Sequence, residues 1–193
     1  MTRRTASVMT RLTFICHGAT DAIRKARFPL DEALEEKATA AARALASRMP
    51  RADRVFTSPA LRARQTADAL GLDAGVVPAL SDCDYGRWAG QPIAALHESE
   101  PDALSEWLTD TDAAPHGGES IRALRDRVEP WMRAQSAQGG QVIAVSHAPV
   151  IRVAALIALS APLSSFWHID VEPLSAIEMT SNGARWSLRF DRV

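Results

Sequence analysis

Short runs of β-branched and aromatic residues recur along this chain, separated by longer stretches whose apolar residues fall at helical spacing. Leu12-Thr13-Phe14-Ile15 predicts a first strand over residues 11 to 16. Leu30 to Arg48 is rich in Ala, Glu and Leu without internal Gly or Pro, and predicts a helix that ends before Pro50. Val55 and Phe56 predict a short second strand. Ser58 is placed to cap a helix from Ala60 to Leu70, with Pro59 suited to its first turn. Val76 and Val77 suggest another strand, and Leu80 to Trp88 an irregular loop. Residues 91 to 115, punctuated by Pro92, Pro101 and Pro115, predict short helices laid over the sheet as a lid. Past Gly117-Gly118, a helix is expected from Glu119 to Ala137, a buried strand from Gln141 to Val145, and an apolar helix from Val150 to Leu159. Ala176, Glu178 and Thr180, then Trp186, Leu188 and Phe190, alternate across Asn182-Gly183, which signals a hairpin. Strands alternating with helices imply an α/β layer architecture with a mostly parallel sheet.

Length and composition narrow this to one domain. The 193 residues, 47% of them hydrophobic and 23% charged, suffice for one well-cored unit, expected over 11–193 behind a loose tail at 1–10. A net charge of −1, from 22 basic against 23 acidic side chains, gives no global field for nucleic acid or a membrane surface, so any anion binding is local. The segment after Arg3 and Arg4 lacks the apolar length of a signal peptide, and no later stretch approaches a membrane span, so a cytoplasmic protein is expected. Two cysteines are too few for a disulfide framework, which agrees with a reducing compartment.

The chemistry is concentrated at two strand ends of similar sequence. Phe14-Ile15-Cys16-His17-Gly18 and Ala144-Val145-Ser146-His147-Ala148 each place an imidazole just past a buried parallel strand, at the sheet edge where α/β folds build their sites. Between them, Ser58-Pro59-Ala60-Leu61-Arg62-Ala63-Arg64-Gln65-Thr66-Ala67 sets Arg62 about one turn into a helix, where N–H groups and a guanidinium favour a phosphate. Spacing alone does not choose between Arg62 and Arg64.

In this order the motifs resemble the histidine phosphatase superfamily, the fold of cofactor-dependent phosphoglycerate mutases and many small phosphatases. The likeness runs from about residue 11 to about residue 160. Cys16-His17-Gly18 stands for the RHG-type motif, Ser58 to Ala67 for the SxxxRAxQTA-type motif, and Asp82 to Gly90 for the acidic loop. Gly118-Glu119-Ser120 matches the GES element and Val145-Ser146-His147 the second histidine motif. The resemblance implies a three-layer α/β/α fold and a metal-independent, cofactor-free reaction on a small-molecule phosphate ester. His17 would attack phosphorus while a backbone acceptor fixes its tautomer, forming a phosphohistidine. Arg62 and His147 would hold the non-bridging oxygens. Asp82, with Asp84 as the rival, would protonate the leaving oxygen, which asks for a carboxyl raised by partial burial and by the phosphate itself.

Three departures fall in one loop: Cys16 where the family has arginine, Ala19 where it has glutamate, Ile23 where it has asparagine. Arg24 and Arg27 are the candidates for returning a guanidinium to the phosphate. A thiol at 16, near His17 and Arg62 and beside Cys83 on the acidic loop, is a candidate for a lowered pKa and oxidative shut-off. His116 could approach substrate from the lid; His97 and His168 read as structural or surface, and Trp88, Trp107 and Trp131 as packing. The lid and the hairpin near 183 are expected to shape the pocket. A phosphomonoesterase through a phosphohistidine is the first reading. Its alternatives are a catalytically weakened or non-catalytic phospho-ligand binder and, behind that, a phosphomutase.

Overall fold

The computed structural model describes residues 9–190, so most of the proposed 1–10 tail lies outside the described residues. Strands β1 (Thr10–Cys16), β2 (Arg54–Thr57), β3 (Gly75–Val76), β4 (Gly140–Ser146), β5 (Ala176–Ser181) and β6 (Trp186–Arg189) form one sheet in the order β3-β2-β4-β1-β5-β6. The first four are parallel, while β5 and β6 turn antiparallel at one edge. The helices are α1 (Asp21–Arg24), α2 (Glu36–Leu45), α3 (Leu61–Ala69), α4 (Ile93–Ser99), α5 (Pro101–Thr109), α6 (Ile121–Gln138) and α7 (Ala148–Leu159).

The apolar runs of β1 and β4 are covered on both faces, as central parallel strands must be. Leu12, Phe14, Val142 and Ala144 pack toward α6 and α7 through Leu124, Val128, Met132, Val150, Val153 and Ala154. Ile15, Ile143 and Val145 point the other way, against Ala42 of α2 and Ala63 and Ala67 of α3. Small alanines on that side let α2 and α3 lie close to the sheet. The result is the expected three-layer α/β/α arrangement with a mostly parallel sheet.

Several expected elements take a different form. The helix expected over Leu30 to Arg48 is α-helical only at Glu36–Leu45, with a 3-10 turn at Ala46–Arg48. Residues 30–35 instead cross the start of α3 as an irregular segment. There the Asp31 carboxylate accepts from the Leu61 N–H at 2.7 Å and the Leu34 N–H donates to the Gln65 side chain at 2.8 Å. Tertiary hydrogen bonds thus override a composition that favours helix. Helix α3 begins at Leu61, so Pro59 precedes it, and the N-cap residue is Ala60, not Ser58. The loop expected over Leu80 to Trp88 carries 3-10 turns at Pro78–Leu80 and Gly86–Trp88. The hairpin forms, but its turn lies beyond Ser181, which pairs with Thr10 at the start of β1, at the opposite sheet edge from His17. It does not shape the pocket. Among the described residues, no helix is long and apolar enough to cross a membrane.

Candidate active site

The three central strands β2, β4 and β1 end side by side, and each hands a functional residue to the same edge. Register pairs Cys16 with Ser146 and Thr57 with Val145, so Ser58, His147 and His17 follow as neighbours. The ladder continues past the strands: the His17 N–H donates to the Ser146 carbonyl and the Ser58 N–H to the Val145 carbonyl. The two imidazoles stand edge to face with ring centroids 5.0 Å apart.

His17 is 6% exposed, and its Nδ1 lies 2.7 Å from the Gly18 carbonyl oxygen. A carbonyl only accepts, so Nδ1 carries the hydrogen and Nε2 keeps its lone pair. Burial lowers the pKa of His17, against the Gly18 hydrogen bond, and keeps the ring neutral. Gly18 is held in turn by Thr66, whose hydroxyl accepts the Gly18 N–H at 3.0 Å and donates to the Arg62 carbonyl at 2.7 Å. A Cβ at Gly18 would meet Ala38 and Leu34 at 3.2 Å, so the absence of a side chain lets the 34–38 segment pack against the loop that carries His17.

His147 is fully buried, with Ser58 on one ring nitrogen and Asp82 facing the other. The Ser58 oxygen accepts the Ala60 N–H at 3.2 Å and lies 2.7 Å from His147 Nε2. The hydroxyl is able to donate to Nε2, and the Asp82 carboxylate oxygen 3.3 Å from Nδ1 can only accept, so the pair of neighbours favours the tautomer with the hydrogen on Nδ1. Burial pushes the His147 pKa down to about 3, so this ring too is neutral. Sequence reasoning read Ser58 as a helix cap and missed this role; its separation of 89 residues from His147 left no local signal.

Arg62 turns inward at 3% exposure while Arg64 is exposed, which settles the choice the spacing left open. Its Nη1 donates to the Leu30 carbonyl at 2.9 Å and its Nη2 to Asp82 Oδ2 at 2.6 Å. The same Oδ2 lies 3.3 Å from His147 Nδ1. One carboxylate oxygen therefore sits within reach of both Arg62 and His147, while Arg62 Nε and His147 Nδ1 are buried without a hydrogen-bond partner. Burial by itself would raise the Asp82 carboxyl, but its neighbours His147 and Arg62, with His17 behind them and the Arg62 hydrogen bond added, outweigh burial and hold it below the usual carboxylate range. The raised carboxyl expected from the sequence is thus absent in the free protein, because the acid is ion-paired. Leu30, Ser58, Arg62, Asp82 and Tyr85 line a cavity of about 400 Å³ beside these groups.

Asp82 is positioned by a brace that the sequence did not reveal. Arg127 of α6 pairs with both oxygens of Glu119, at 2.9 and 2.7 Å, and donates to the Ala79, Ser81 and Asp82 carbonyls at 2.9 to 3.1 Å. The GES element closes against the same loop. A Cβ at Gly118 would stand 2.1 Å from the Asp84 carbonyl oxygen, and Ser120 caps α6 by accepting the Ala123 N–H. Asp84 binds its own loop, accepting the Gly86 N–H at 2.9 Å, and does not approach Arg62 or His147 by any hydrogen bond or ion pair among the described residues.

Other candidates are placed elsewhere. Arg24 pairs with Asp21 and, at 2.8 Å, with Glu35; Arg27 pairs with Asp21 as well, so neither guanidinium is brought to the Arg62–His147 pair. Cys16 and Cys83 are buried free thiols. Desolvation pushes Cys16 up to about 12 and Cys83 higher still, with Asp82 adding to both, which removes the basis for a reactive thiolate. His116 does not reach toward substrate: it is buried on Trp88, centroids 5.0 Å apart, with Nδ1 accepting the Gly118 N–H. His97 and His168 are exposed, and Trp131 packs on Phe14 and Phe56. Among the described residues no group of three His, Cys, Asp or Glu side chains is arranged to hold a metal ion.

Comparison with known proteins agrees with this geometry. The model of the histidine phosphatase superfamily (branch 1) matches residues 12–191. A bifunctional protein of Mycobacterium tuberculosis (strain ATCC 25618 / H37Rv) is 34% identical across 91% of this chain and 52% of its own length. The chain thus spans about half the length of the first curated relatives it matches. A glucosyl-3-phosphoglycerate phosphatase of the same organism is 31% identical across 81% of this chain and 78% of its own. Among solved structures, mycobacterial glucosyl-3-phosphoglycerate phosphatase in complex with VO3 superposes with a TM-score of 0.82 at 27% identity, over 93% of this chain and 97% of that one. The α-ribazole phosphatase of Shigella flexneri gives 0.82 at 25% identity, over 93% and 95%. A family match of that extent makes this chain a member of the histidine phosphatase superfamily, branch 1.

Proposed function

We propose that the chain is a phosphomonoesterase that hydrolyses a small phosphorylated molecule through a phosphohistidine on His17. The observation that carries this reading is the position of Asp82 Oδ2, an anionic oxygen held by Arg62 at 2.6 Å and 3.3 Å from His147 Nδ1, beside a neutral imidazole whose Nε2 is free. An oxygen of a bound phosphoryl group fits the same two donors. Substrate then displaces Asp82 from Arg62, and the carboxyl loses the cation that held it ionised while gaining a dianion as neighbour. Both changes raise its pKa and let it take up a proton. The structure in its free state and the acid role are compatible for this reason: binding makes the acid.

His17 Nε2 attacks phosphorus in line, the P–O bond to the leaving group breaks, and Asp82 gives its proton to the departing oxygen. Arg62 and the Nδ1–H of His147 stabilise the charge spread over the non-bridging oxygens. Asp82, now a carboxylate, takes a proton from water as the water oxygen attacks the phosphohistidine; phosphate leaves and His17 is neutral again. We place the substrate among small-molecule phosphate esters, the class to which the names of the phosphatase relatives point. Helices α4 and α5 take the part of the lid over 91–117, anchored through Leu96, Leu104 and Trp107 in the cluster that holds Trp88 and Phe28.

The test is turnover of an aryl phosphate together with rapid acid-free quenching of radiolabelled substrate. Hydrolysis should fall to background in His17→Ala, and a phosphoryl adduct stable to alkali and labile to acid should form on the wild-type chain alone. A chain that binds inorganic phosphate but turns over no aryl phosphate would instead support the non-catalytic binder.

A further inference from the structure

The cavity of about 400 Å³ beside Arg62 is larger than a phosphoryl group requires, so its wall also receives the leaving group. Among the described residues that line it, Arg62 is the one basic side chain, against the three carboxylates of Asp31, Asp82 and Asp84. Much of the remaining wall is apolar: Pro29, Leu30, Pro59, Ala60 and Ala89 stand with Tyr85. Burial pushes the Tyr85 phenol above its ordinary 10, so that part of the wall is uncharged.

Two of the carboxylates are exposed at the mouth of the cavity and are fixed there by backbone partners. Asp31 accepts the Leu61 N–H at 2.7 Å, the first N–H of α3, and so occupies a donor that the helix start would otherwise offer to an anion. The neighbouring Leu30 carbonyl accepts from Arg62 Nη1 at 2.9 Å, which keeps Asp31 beside the guanidinium. Asp84, two residues past the acid, accepts the Gly86 N–H at 2.9 Å, and its own carbonyl accepts the Glu119 N–H at 2.7 Å. Cations of the flanking segments are engaged elsewhere: Arg24, Lys25 and Arg27 with Asp21, Arg87 with Glu100, and Arg127 with Glu119. Arg64 lies two residues past Arg62 on α3 and so faces away from it.

A leaving group that carries a carboxylate or a second phosphate would meet two fixed carboxylates and an apolar wall, with Arg62 already engaged by the phosphoryl oxygens. Such an anion is repelled and gives up hydration that the wall does not replace. An uncharged leaving group escapes both penalties and gains contact with Leu30, Pro59 and Tyr85. We propose that the site selects phosphate monoesters whose leaving group is uncharged, with Asp31 and Asp84 as the residues that reject a second anionic group. The inference rests on the phosphatase reading above and narrows its substrate class.

Steady-state kinetics on a near-isosteric pair tests it: m-carbamoylphenyl phosphate and m-carboxyphenyl phosphate are alike in shape and differ by one charge on the leaving group. For the wild-type chain kcat/KM should favour the amide by about tenfold or more, and the preference should shrink as salt is raised. In Asp31→Asn/Asp84→Asn each side-chain amide oxygen can keep its backbone hydrogen bond, and the preference should fall to about threefold or less. The ratio is taken within one protein, so a loss common to both esters cancels. A wild-type ratio within about twofold of unity, a preference for the carboxylate, or an unchanged ratio in the double variant would overturn the inference. Thermal unfolding checks the variant, and should it fail to fold, the wild-type ratio and its salt dependence decide. Should neither ester turn over, the phosphatase reading fails, and calorimetric titration of the two corresponding arylphosphonates, which bind without reacting, decides the selectivity separately. There a preference of about tenfold for the amide upholds the inference, and equal affinities overturn it.

Discussion

In the proposed mechanism Asp82 has two jobs that demand opposite protonation states, and its contact with Arg62 would reconcile them. In the free chain the 2.6 Å ion pair gives the buried Arg62 a carboxylate partner; on the proposed reading a bound phosphoryl group would take Arg62 over. Because proton donation matters most when the leaving oxygen is basic, Asp82→Asn should lower kcat for an alkyl phosphate by about a hundredfold or more. For p-nitrophenyl phosphate, whose leaving group departs without help, the loss should be far smaller. Equal losses on the two substrates, measured by steady-state kinetics, would mean that Asp82 acts by position alone. Phosphate should also bind Asp82→Asn more tightly, since its competitor for Arg62 is gone. The convergence of His17 and His147 was legible from the sequence because each follows a buried strand, whereas the choice of Arg62 over Arg64 needed the fold, since both lie near the start of the same helix. Ser58's hold on His147 was not legible, because it joins two segments that only the β2–β4 pairing brings together.

At the scale of elements, α6 braces the loop that carries Asp82. Arg127 ties the Ala79, Ser81 and Asp82 carbonyls to Glu119, and these contacts are no more than a quarter exposed. Arg127→Met should destabilise the fold by about 2–4 kcal/mol in chemical denaturation, since it strands the Glu119 carboxylate and three carbonyls. It should also slow turnover of a poor leaving group by about tenfold while phosphate affinity, which depends on Arg62 and His147, changes less. A variant with normal stability and normal leaving-group dependence would show that the loop holds itself. The brace was invisible in the sequence because Arg127 reads as one more polar position on a helix face. The stretch 30–35 misled in the other direction: its composition favours helix, yet its Leu30 carbonyl and Asp31 side chain are used to orient Arg62 and start α3.

For the molecule as a whole, the layer order was readable because the apolar runs of β1 and β4 alternate with α2, α3 and α6, which carry one apolar face each, and with α7, which is apolar nearly all round. Which residues end up paired was not readable, because neutrality of the buried histidines depends on the depth of the assembled layers. That depth sets the pH dependence of folding. Burial lowers the pKa of His17, His116 and His147 from the ordinary 6.5, His147 to about 3. Below pH 6.5 the unfolded chain binds protons that the folded chain refuses, so their contribution is complete above that value and falls away on acidification until the folded pKa is passed. Asp82, ionised below the usual range, adds a loss in the same direction, but only below its ordinary 3.8. Between about pH 6 and 5 the histidines therefore dominate, each fully shifted one contributing about 1.4 kcal/mol per pH unit. Urea unfolding across that window should show stability falling with a slope of more than one proton, and His147→Gln should lower the slope by about one. A flat profile from pH 7 to 5 would mean that the buried imidazoles are protonated in the folded state, and with them would go the neutral nucleophile on which the reaction at His17 depends.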